Sequence, residues 1–424
     1  MTMNIMIINH YAGSLKNGME YRPFYLAREW VKRGNKVDII AADFSHLRIL
    51  NPVIESDFQI EVNEGIYFHW VKSVRYKGNG IKRFLSMICF VSKIIFHAKN
   101  LVKICSPDVV ISSSTYPLDT YAAQKIARLS GAIIIHEVHD MWPLTLIEIA
   151  KMPKFHPLII LFQLAENSAY KKSNAVVSLL PNAKEYMIQH GLMDSKFYYV
   201  PNGIVVSDWN NATSLPEQHL QVLNECKVRK QFICCYFGSH TNTYGLKYFI
   251  GSAKYLNENN VCLLLVGDGM EKNNFIKQAN EEGYNNVIFL PPIPKQSIPS
   301  LLEMVDIVYV GGTKSKMRKF GAAMNKVYDS MMAAKPIVYA VDIPNNDVEI
   351  YNCGITVELE NAQSIADAII KLNALDKEEL AQIGNNGKTA ALLNYDYAII
   401  SQHFLDILEL IRKNNQLEKD MCDE

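Results

Sequence analysis

Short apolar runs alternate with longer stretches in which apolar residues recur every three to four positions. Runs at 4–9, 37–41, 66–71, 108–112, 132–138 and 175–179 predict buried strands. Amphipathic stretches at 18–33, 81–104, 118–129 and 157–172 predict helices among them. The second half repeats the rhythm, with strands predicted at 232–237, 261–266, 287–290, 307–310, 336–341 and 355–357. Its helices are predicted at 244–256, 271–281, 325–334 and 364–375. This alternation predicts an α/β protein with parallel sheets covered on both faces by helices. The stretch 210–230 is polar and poorly periodic, and reads as linker with a short helix. The expected plan is two Rossmann-like domains, 1–203 and 231–396, joined by 204–230 and facing across a cleft. A last amphipathic helix from 397 and a charged tail to 424 complete it.

Length agrees, because 424 residues exceed what one core usually organises. With 43 basic against 43 acidic residues the formal net charge is zero, which argues against a general nucleic-acid binder. The eight cysteines are scattered without a CxxC pair, as expected of reduced thiols in a cytoplasmic protein. The first ten residues lack the features of a secretory signal and read as a buried strand. No uninterrupted apolar run reaches the ~20 residues of a spanning helix. Charge is nevertheless uneven, since no acid occurs between Gly65 and Pro107. Within that stretch, 81–104 mixes bases with Phe84, Leu85, Phe90 and Phe96. It reads either as a helix resting at the inner face of an anionic membrane or as a packed helix with a solvated basic edge.

In doubly wound sheets, ligands sit beyond the carboxyl ends of the strands, so loops there hold the candidate chemistry. The first runs from His10 through Gly13 to Pro23 and includes Glu20 and Arg22. Its glycines let backbone N–H groups approach an anion, but it is not GxGxxG, so a dinucleotide fingerprint is absent. After the run at 132–138 come His139, Asp140, Met141, Trp142 and Pro143. His139 can donate or accept near neutral pH, and Asp140 can orient a hydroxyl. His136 and His139 are placed to face opposite ways, so no metal is expected there. Gly238 and Ser239 open a small polar loop, and Gly267 and Asp268 another, both suited to phosphate contact through backbone N–H groups. The most informative stretch is 314–336. Lys314, Lys316, Arg318 and Lys319 precede Gly321, and Asn325 then opens a helix with Lys326 beside its free N–H groups. Positive charge at a helix start is a site for a diphosphate. Asp329, at i+3 from Lys326, can accept from both hydroxyls of a ribose or can form an ordinary surface pair.

Taken together, HYAGSLKNGMEYRPFYLAREW at His10–Trp30, HDMWP at His139–Pro143, VPNGI at Val200–Ile204 and FGAAMNKVYDSMMAAKPIV at Phe320–Val338 carry a resemblance. Across nearly its full length the chain resembles retaining glycosyltransferases of the GT-B fold, family four. The subgroup it resembles most is the bacterial O-antigen and capsule enzymes of the N-acetyl-L-fucosamine-transferase type. The resemblance implies that the second domain holds a nucleotide-sugar, with UDP the leading nucleotide, and that the first holds the acceptor, a glycan or polyprenyl-linked chain. It implies that the Gly13 loop reaches the donor phosphates, that His139 contacts the transferred sugar, and that Asn325, Lys326 and Asp329 mark the donor-binding helix start. It also implies that the final helix crosses back to the first domain.

The sequence departs from the wider family as well. Ser239 stands where an arginine is usual, Tyr244 where a lysine is usual, and the paired-glutamate positions fall on Gly321 and Asp329. Phosphate charge is then expected to be met by Lys326, with Arg318 or Lys319. With no Asp-x-Asp clamp in a fitting place, neither metal nor other cofactor is expected. Two other functions fit the same fold: a nucleotide-sugar epimerase, which needs no acceptor, and a membrane-associated scaffold that binds nucleotide-sugar without turnover.

Overall fold

The computed structural model describes residues 2–18, 21–46, 48–78, 80–256 and 258–423, with side chains left aside at 418–419 and 421–423. The chain forms two compact units, Met1–Asn202 with Tyr397–Glu424, and Gly203–Asp396.

Unit 1 is built on eight strands: β1 (Asn4–Ile8), β2 (Lys36–Ala42), β3 (Gln59–Asn63), β4 (Ile66–Val71), β5 (Val109–Ser112), β6 (Ile133–Val138), β7 (Ala175–Ser178) and β8 (Phe197–Tyr199). Their order is β3-β4-β2-β1-β5-β6-β7-β8, parallel except for β3, which pairs antiparallel with β4. β1 lies in the middle, so both its faces are covered and Ile5, Met6, Ile7 and Ile8 are all buried. That is why it reads as a continuous apolar run rather than an alternation. Helices α1 (Tyr21–Lys32), α2 (Ile81–Cys105) and α3 (Asp119–Ser130) cover the sheet. α2 is long and apolar enough to cross a membrane by length and composition. Its Met87, Phe90, Val91, Ile94, Ala98 and Leu101 nevertheless lie in the core of unit 1, while Ile81, Leu85, Phe96 and Ile104 stay exposed.

The final helix, Tyr397–Asp423, belongs to unit 1. The Trp30 indole donates to the Ser401 carbonyl at 3.0 Å, and its ring meets Phe404 edge-on. The return of the last helix to the first domain is therefore as expected.

Unit 2 carries β9 (Phe232–Phe237), β10 (Val261–Val266), β11 (Val287–Leu290), β12 (Ile307–Gly311), β13 (Ile337–Ala340) and β14 (Gly354–Thr356). The order is β11-β10-β9-β12-β13-β14, all parallel. Residues 204–230 do not form a free linker. The helix Glu217–Val228 packs Leu223 and Cys226 into the core beside Ile233, Cys235 and Cys262, and Ile204 and Leu215 join the same cluster. Apolar burial of these four side chains ties the stretch to unit 2.

Candidate functional site

Each sheet reverses its winding beside a central strand, at β1/β5 in unit 1 and at β9/β12 in unit 2. Ligands of such sheets bind at the carboxyl ends next to that point. In each unit the candidate loops follow strands beside its own reversal point.

In unit 1 the loop after β1 is closed by its own side chains. Asn17 accepts from the Ser14 amide and hydroxyl, both at 3.0 Å, and Arg48 donates to the carbonyls of His10 and Ala12. Gly13 sits inside this turn, where a Cβ would come 2.9 Å from the Asn17 Cβ. Two of the residues expected on the acceptor side are engaged within unit 1 itself. His10 is fully buried, with Nδ1 2.7 Å from the Tyr116 hydroxyl. Burial first, then Arg48 and Arg83, push its imidazole well below the usual range, so it is a neutral core residue. Arg22 is spent on structure: it donates to Glu137 at 3.0 Å, to the Pro201 carbonyl at 2.6 Å and to the Val200 carbonyl at 3.1 Å. It thereby ties α1 to the segment after β8. Glu20 lies outside the described residues.

The partner of Arg22 is the feature that reading the sequence passed over. Glu137, at the end of β6, is 2 % exposed and accepts from three groups. These are Arg22 Nε at 3.0 Å, the Ser113 hydroxyl at 2.6 Å and His139 Nε2 at 3.1 Å. Burial alone would raise this carboxyl, but Arg22, His139 and Ser113 together hold it well below the usual carboxylate range. His139 Nε2 also lies 2.9 Å from Ser113 Oγ. A nucleophilic triad needs serine and carboxylate on opposite ring nitrogens. Here both sit on Nε2, so Ser113 is not an activated nucleophile.

Asp140 is engaged within its own turn. Its carboxylate accepts from the Met141 amide (2.8 Å), the Thr145 hydroxyl (2.7 Å) and the Trp142 indole (3.1 Å). It closes the turn after His139 rather than orienting a hydroxyl. Behind Ser113, Asp119 starts α3 and takes the Ser114 amide at 2.8 Å, with Oδ1 buried and unpartnered. Burial pushes its carboxyl up to about 7. His136 turns away from His139 to bond Ser112 at 2.9 Å. Among the described residues, one group of three metal-type donors lies close together, Asp38, His69 and Cys105. The carboxylate of Asp38 is already met by His69 at 2.7 Å and by Lys36 at 3.3 Å, which leaves little room for a cation.

In unit 2 the site is a nest of glycines around a cation. Gly238 ends β9 at φ +120°, and a Cβ there would stand 2.9 Å from Lys326 Nζ. Gly267, at φ +149°, passes so close to the Gly238 carbonyl that no side chain fits. Ser239 and Asp268 are exposed at the tips of these two loops. The helix Asn325–Met332 begins with Met324 as N-cap and with no side-chain cap, so Asn325 is its first turn rather than its cap. Its starting N–H groups lack a side-chain partner, and its first turn holds no acid.

Lys326 rises from this turn with its ammonium 4.0 Å from the Tyr244 ring centre and 5.2 Å from that of Tyr236. Among the described residues no carboxylate comes within ion-pair distance of it. Burial, reinforced by Lys295 and opposed by Asp329, pushes its ammonium down to about 8. Arg318, from the loop before, lies against Gly312, where a Cβ would meet its Nη2. Burial lowers it too, against the pull of Tyr339, Tyr244 and Asp342. The cation that is missing at position 244 of the sequence is thus replaced in space by Lys326, whose ammonium lies over the Tyr244 ring, with Arg318 near enough to act on Tyr244 by its charge.

Asp329 departs from expectation. It is 2 % exposed, and both its oxygens are held by Lys295 Nζ, at 2.5 and 2.6 Å. It forms no ion pair with Lys326. Lys295 lies 34 residues away in sequence, and nothing in the local pattern pointed to it. His240 was also passed over: it is fully buried between the two glycine loops with both ring nitrogens unpartnered. Burial and Lys272 push its imidazole down to about 4.

Comparison with known proteins places these two sites in context. The model "Glycosyltransferase Family 4" matches residues 16–208, and "Glycosyl transferases group 1" matches residues 224–390. No curated protein sequence matches the chain. Among solved structures, Anabaena Alr3699/HepE in complex with UDP and glucose is 16% identical, with 96% of this chain and 99% of that chain covered at a TM-score of 0.67. A glycosyltransferase from Rickettsia africae is 16% identical, with 97% and 99% covered at 0.68. WaaG, a glycosyltransferase involved in lipopolysaccharide biosynthesis, is 14% identical, with 95% and 99% covered at 0.63.

Proposed function

Because the chain belongs to the glycosyltransferases of GT-B type that join a family 4 half to a group 1 half, we propose that it moves a sugar from a UDP-linked donor to a glycan or lipid-linked acceptor. Unit 2 holds the donor, and unit 1 supplies His139 and the acceptor site. The observation that carries this reading is the unpaired ammonium of Lys326 over Gly238, beside an uncapped helix start. A diphosphate supplies the missing counter-charge. The complex of HepE with UDP and glucose supports the choice of nucleotide.

The reaction we propose retains the anomeric configuration. As the sugar leaves, negative charge grows on the outer phosphate, and donors already aimed at that phosphate stabilise the transition state more than the ground state. Lys326 and Arg318 supply that charge, and amides of the Gly238 loop add hydrogen bonds. With two fixed cations in place, turnover is expected to survive chelation of divalent metal. The role of WaaG in lipopolysaccharide biosynthesis supports a place in bacterial surface polysaccharide synthesis, O-antigen or capsule. A cytoplasmic protein with peripheral contact to an anionic membrane fits the exposed Ile81, Leu85, Phe96 and Ile104 of α2, which alternate with Lys82, Lys99 and Lys103.

A panel of UDP, GDP and their sugar conjugates, scored by shift in melting temperature, tests the donor site. UDP-sugars are expected to stabilise the wild type and to leave Lys326→Ala unshifted. Acceptor-dependent release of UDP is expected to fall by roughly 10²-fold or more in that variant. Failure of every nucleotide to bind overturns the reading, and isomerisation of the sugar without acceptor replaces it with an epimerase.

A further inference from the structure

We propose that Glu137 is a positioning residue that locks His139 with its proton on Nε2, so that bare Nδ1 accepts a hydrogen bond from a hydroxyl or amide N–H of the bound sugar.

The assignment follows from what surrounds Nε2. Glu137 Oε2, at 3.1 Å, belongs to an ionised carboxylate and can only accept. Ser113 Oγ, at 2.9 Å, has its own proton committed to Glu137 Oε2 across 2.6 Å, so toward the ring it offers a lone pair. A ring nitrogen facing two acceptors must carry the hydrogen. In the neutral ring Nδ1 is then an acceptor. Among the described residues it makes no hydrogen bond, and the side chain is 12 % exposed.

The lock itself is rigid. Glu137 is anchored by Arg22 at 3.0 Å, and the Ser113 carbonyl takes the Asn9 amide at 2.7 Å. Arg22 in turn is held by the carbonyls of Val200 and Pro201. A hydrogen bond to one ring nitrogen sets the chemistry of the other.

This inference rests on the glycosyltransferase reading for the identity of the ligand, but not for the state of the ring. It also narrows the ligand, since a lone pair at Nδ1 suits a neutral hydroxyl or acetamido sugar and repels the carboxylate of a uronic acid. Donors carrying neutral sugars are therefore expected to turn over faster than uronate donors at a pH where the ring is neutral.

Two measurements separate the inference from the reading beneath it. Nitrogen-15 spectra of histidine-labelled protein, assigned by loss of the His139 signal in His139→Gln, report the tautomer directly. The expected result is a protonated Nε2 and a bare Nδ1 in the wild type and in Ser113→Ala. Glu137→Gln is expected to raise the share of the other tautomer and to lower turnover by roughly 10²-fold. A wild-type ring protonated at Nδ1 overturns the proposal, and that spectrum needs no variant to fold. In the second measurement, monodeoxy donors are compared in the wild type and in His139→Phe. One deoxy position is expected to cost the wild type alone. Equal costs in both enzymes at every position overturn the contact, whereas absence of transfer from any donor overturns the glycosyltransferase reading and leaves the tautomer result standing.

Discussion

The two units treat buried charge in opposite ways. In unit 1 the carboxylate of Glu137 is fully answered, by a guanidinium, a hydroxyl and an imidazole. In unit 2 the ammonium of Lys326 is answered only by two aromatic faces and a distant carboxylate that Lys295 already holds. A buried polar network with every member satisfied fixes geometry. A cation left without a counter-ion keeps its attraction for a ligand that brings one. The contrast suggests a division of labour: unit 1 holds a ring in place, while unit 2 stores affinity for an anion at the expense of its own stability.

The largest effect should come from breaking the satisfied network. Replacing Arg22 by Met leaves Glu137 ionised, buried and without its guanidinium. Loss of one partner from such a pair typically costs about 3–5 kcal/mol. Urea denaturation of Arg22→Met is expected to show a loss of that order near neutral pH. It is expected to shrink as the pH falls and Glu137 takes up a proton. The sign follows from the carboxyl being held below its ordinary value: its stabilising contribution is present at neutral pH and vanishes in acid. A loss under about 1 kcal/mol would mean that water reaches Glu137 and that the lock on His139 is loose.

The unsatisfied cation predicts the opposite sign for its removal, a gain in stability rather than a loss, although stability rises with pH in both cases. An ammonium lowered to about 8 in the fold and near ~10.4 in the unfolded chain binds fewer protons when folded across that window. The ligand-free protein should therefore gain stability as the pH rises from about 8 to 10. Lys326→Met is expected to remove that dependence and to be more stable at neutral pH, on the order of 1–3 kcal/mol, while losing UDP affinity. Binding is expected to run the other way in the wild type. UDP needs the charged ammonium, so affinity should hold steady below about pH 7 and fall by up to tenfold per pH unit above about 8. Calorimetric titration across pH 6–9.5 with both proteins checks this. An affinity that does not change across that range places the phosphate charge on Arg318 instead.

How much of this could be read in advance differs between backbone and side chains. The central strands announced themselves, because burial on both faces makes them continuous apolar runs, as at Val261–Val266. The edge strand Gln59–Asn63 was missed, since its side chains are all exposed or half-buried and only Ile60 and Val62 are apolar, too few to mark a buried face. The 18-residue helix Lys377–Asn394 was missed for a different reason. Its buried positions are Gly384, Gly387, Ala390 and Ala391, too small to give an apolar stripe, although a Cβ at Gly384 would strike the backbone of Ala334. Lys326 was legible as a charge at a helix start. The pairings of the other buried charges were not: Glu137 meets Arg22 across 115 residues, and Asp329 meets Lys295 across 34. Local patterns report local propensity, whereas which buried charges are answered depends on contacts that only the fold creates.

The smallest prediction asks whether unit 1 is as fully satisfied as Glu137 suggests. Asp119, beside Ser113 and Ser114, keeps one oxygen on the Ser114 amide and leaves the other buried without a partner. Burial raises its carboxyl to about 7, while the unfolded chain titrates near ~3.9. The folded state thus binds the extra proton between those values, and stability should decline as the pH climbs through them. Asp119→Asn keeps the shape and the oxygen that accepts from Ser114 but never acquires the charge. It is expected to match the wild type near pH 4 and to exceed it at pH 8, as read from melting temperatures at both. If the variant is instead the less stable at pH 8, the Asp119 carboxylate is being paid for by an ordered water or by His139, and unit 1 has no unanswered charge at all.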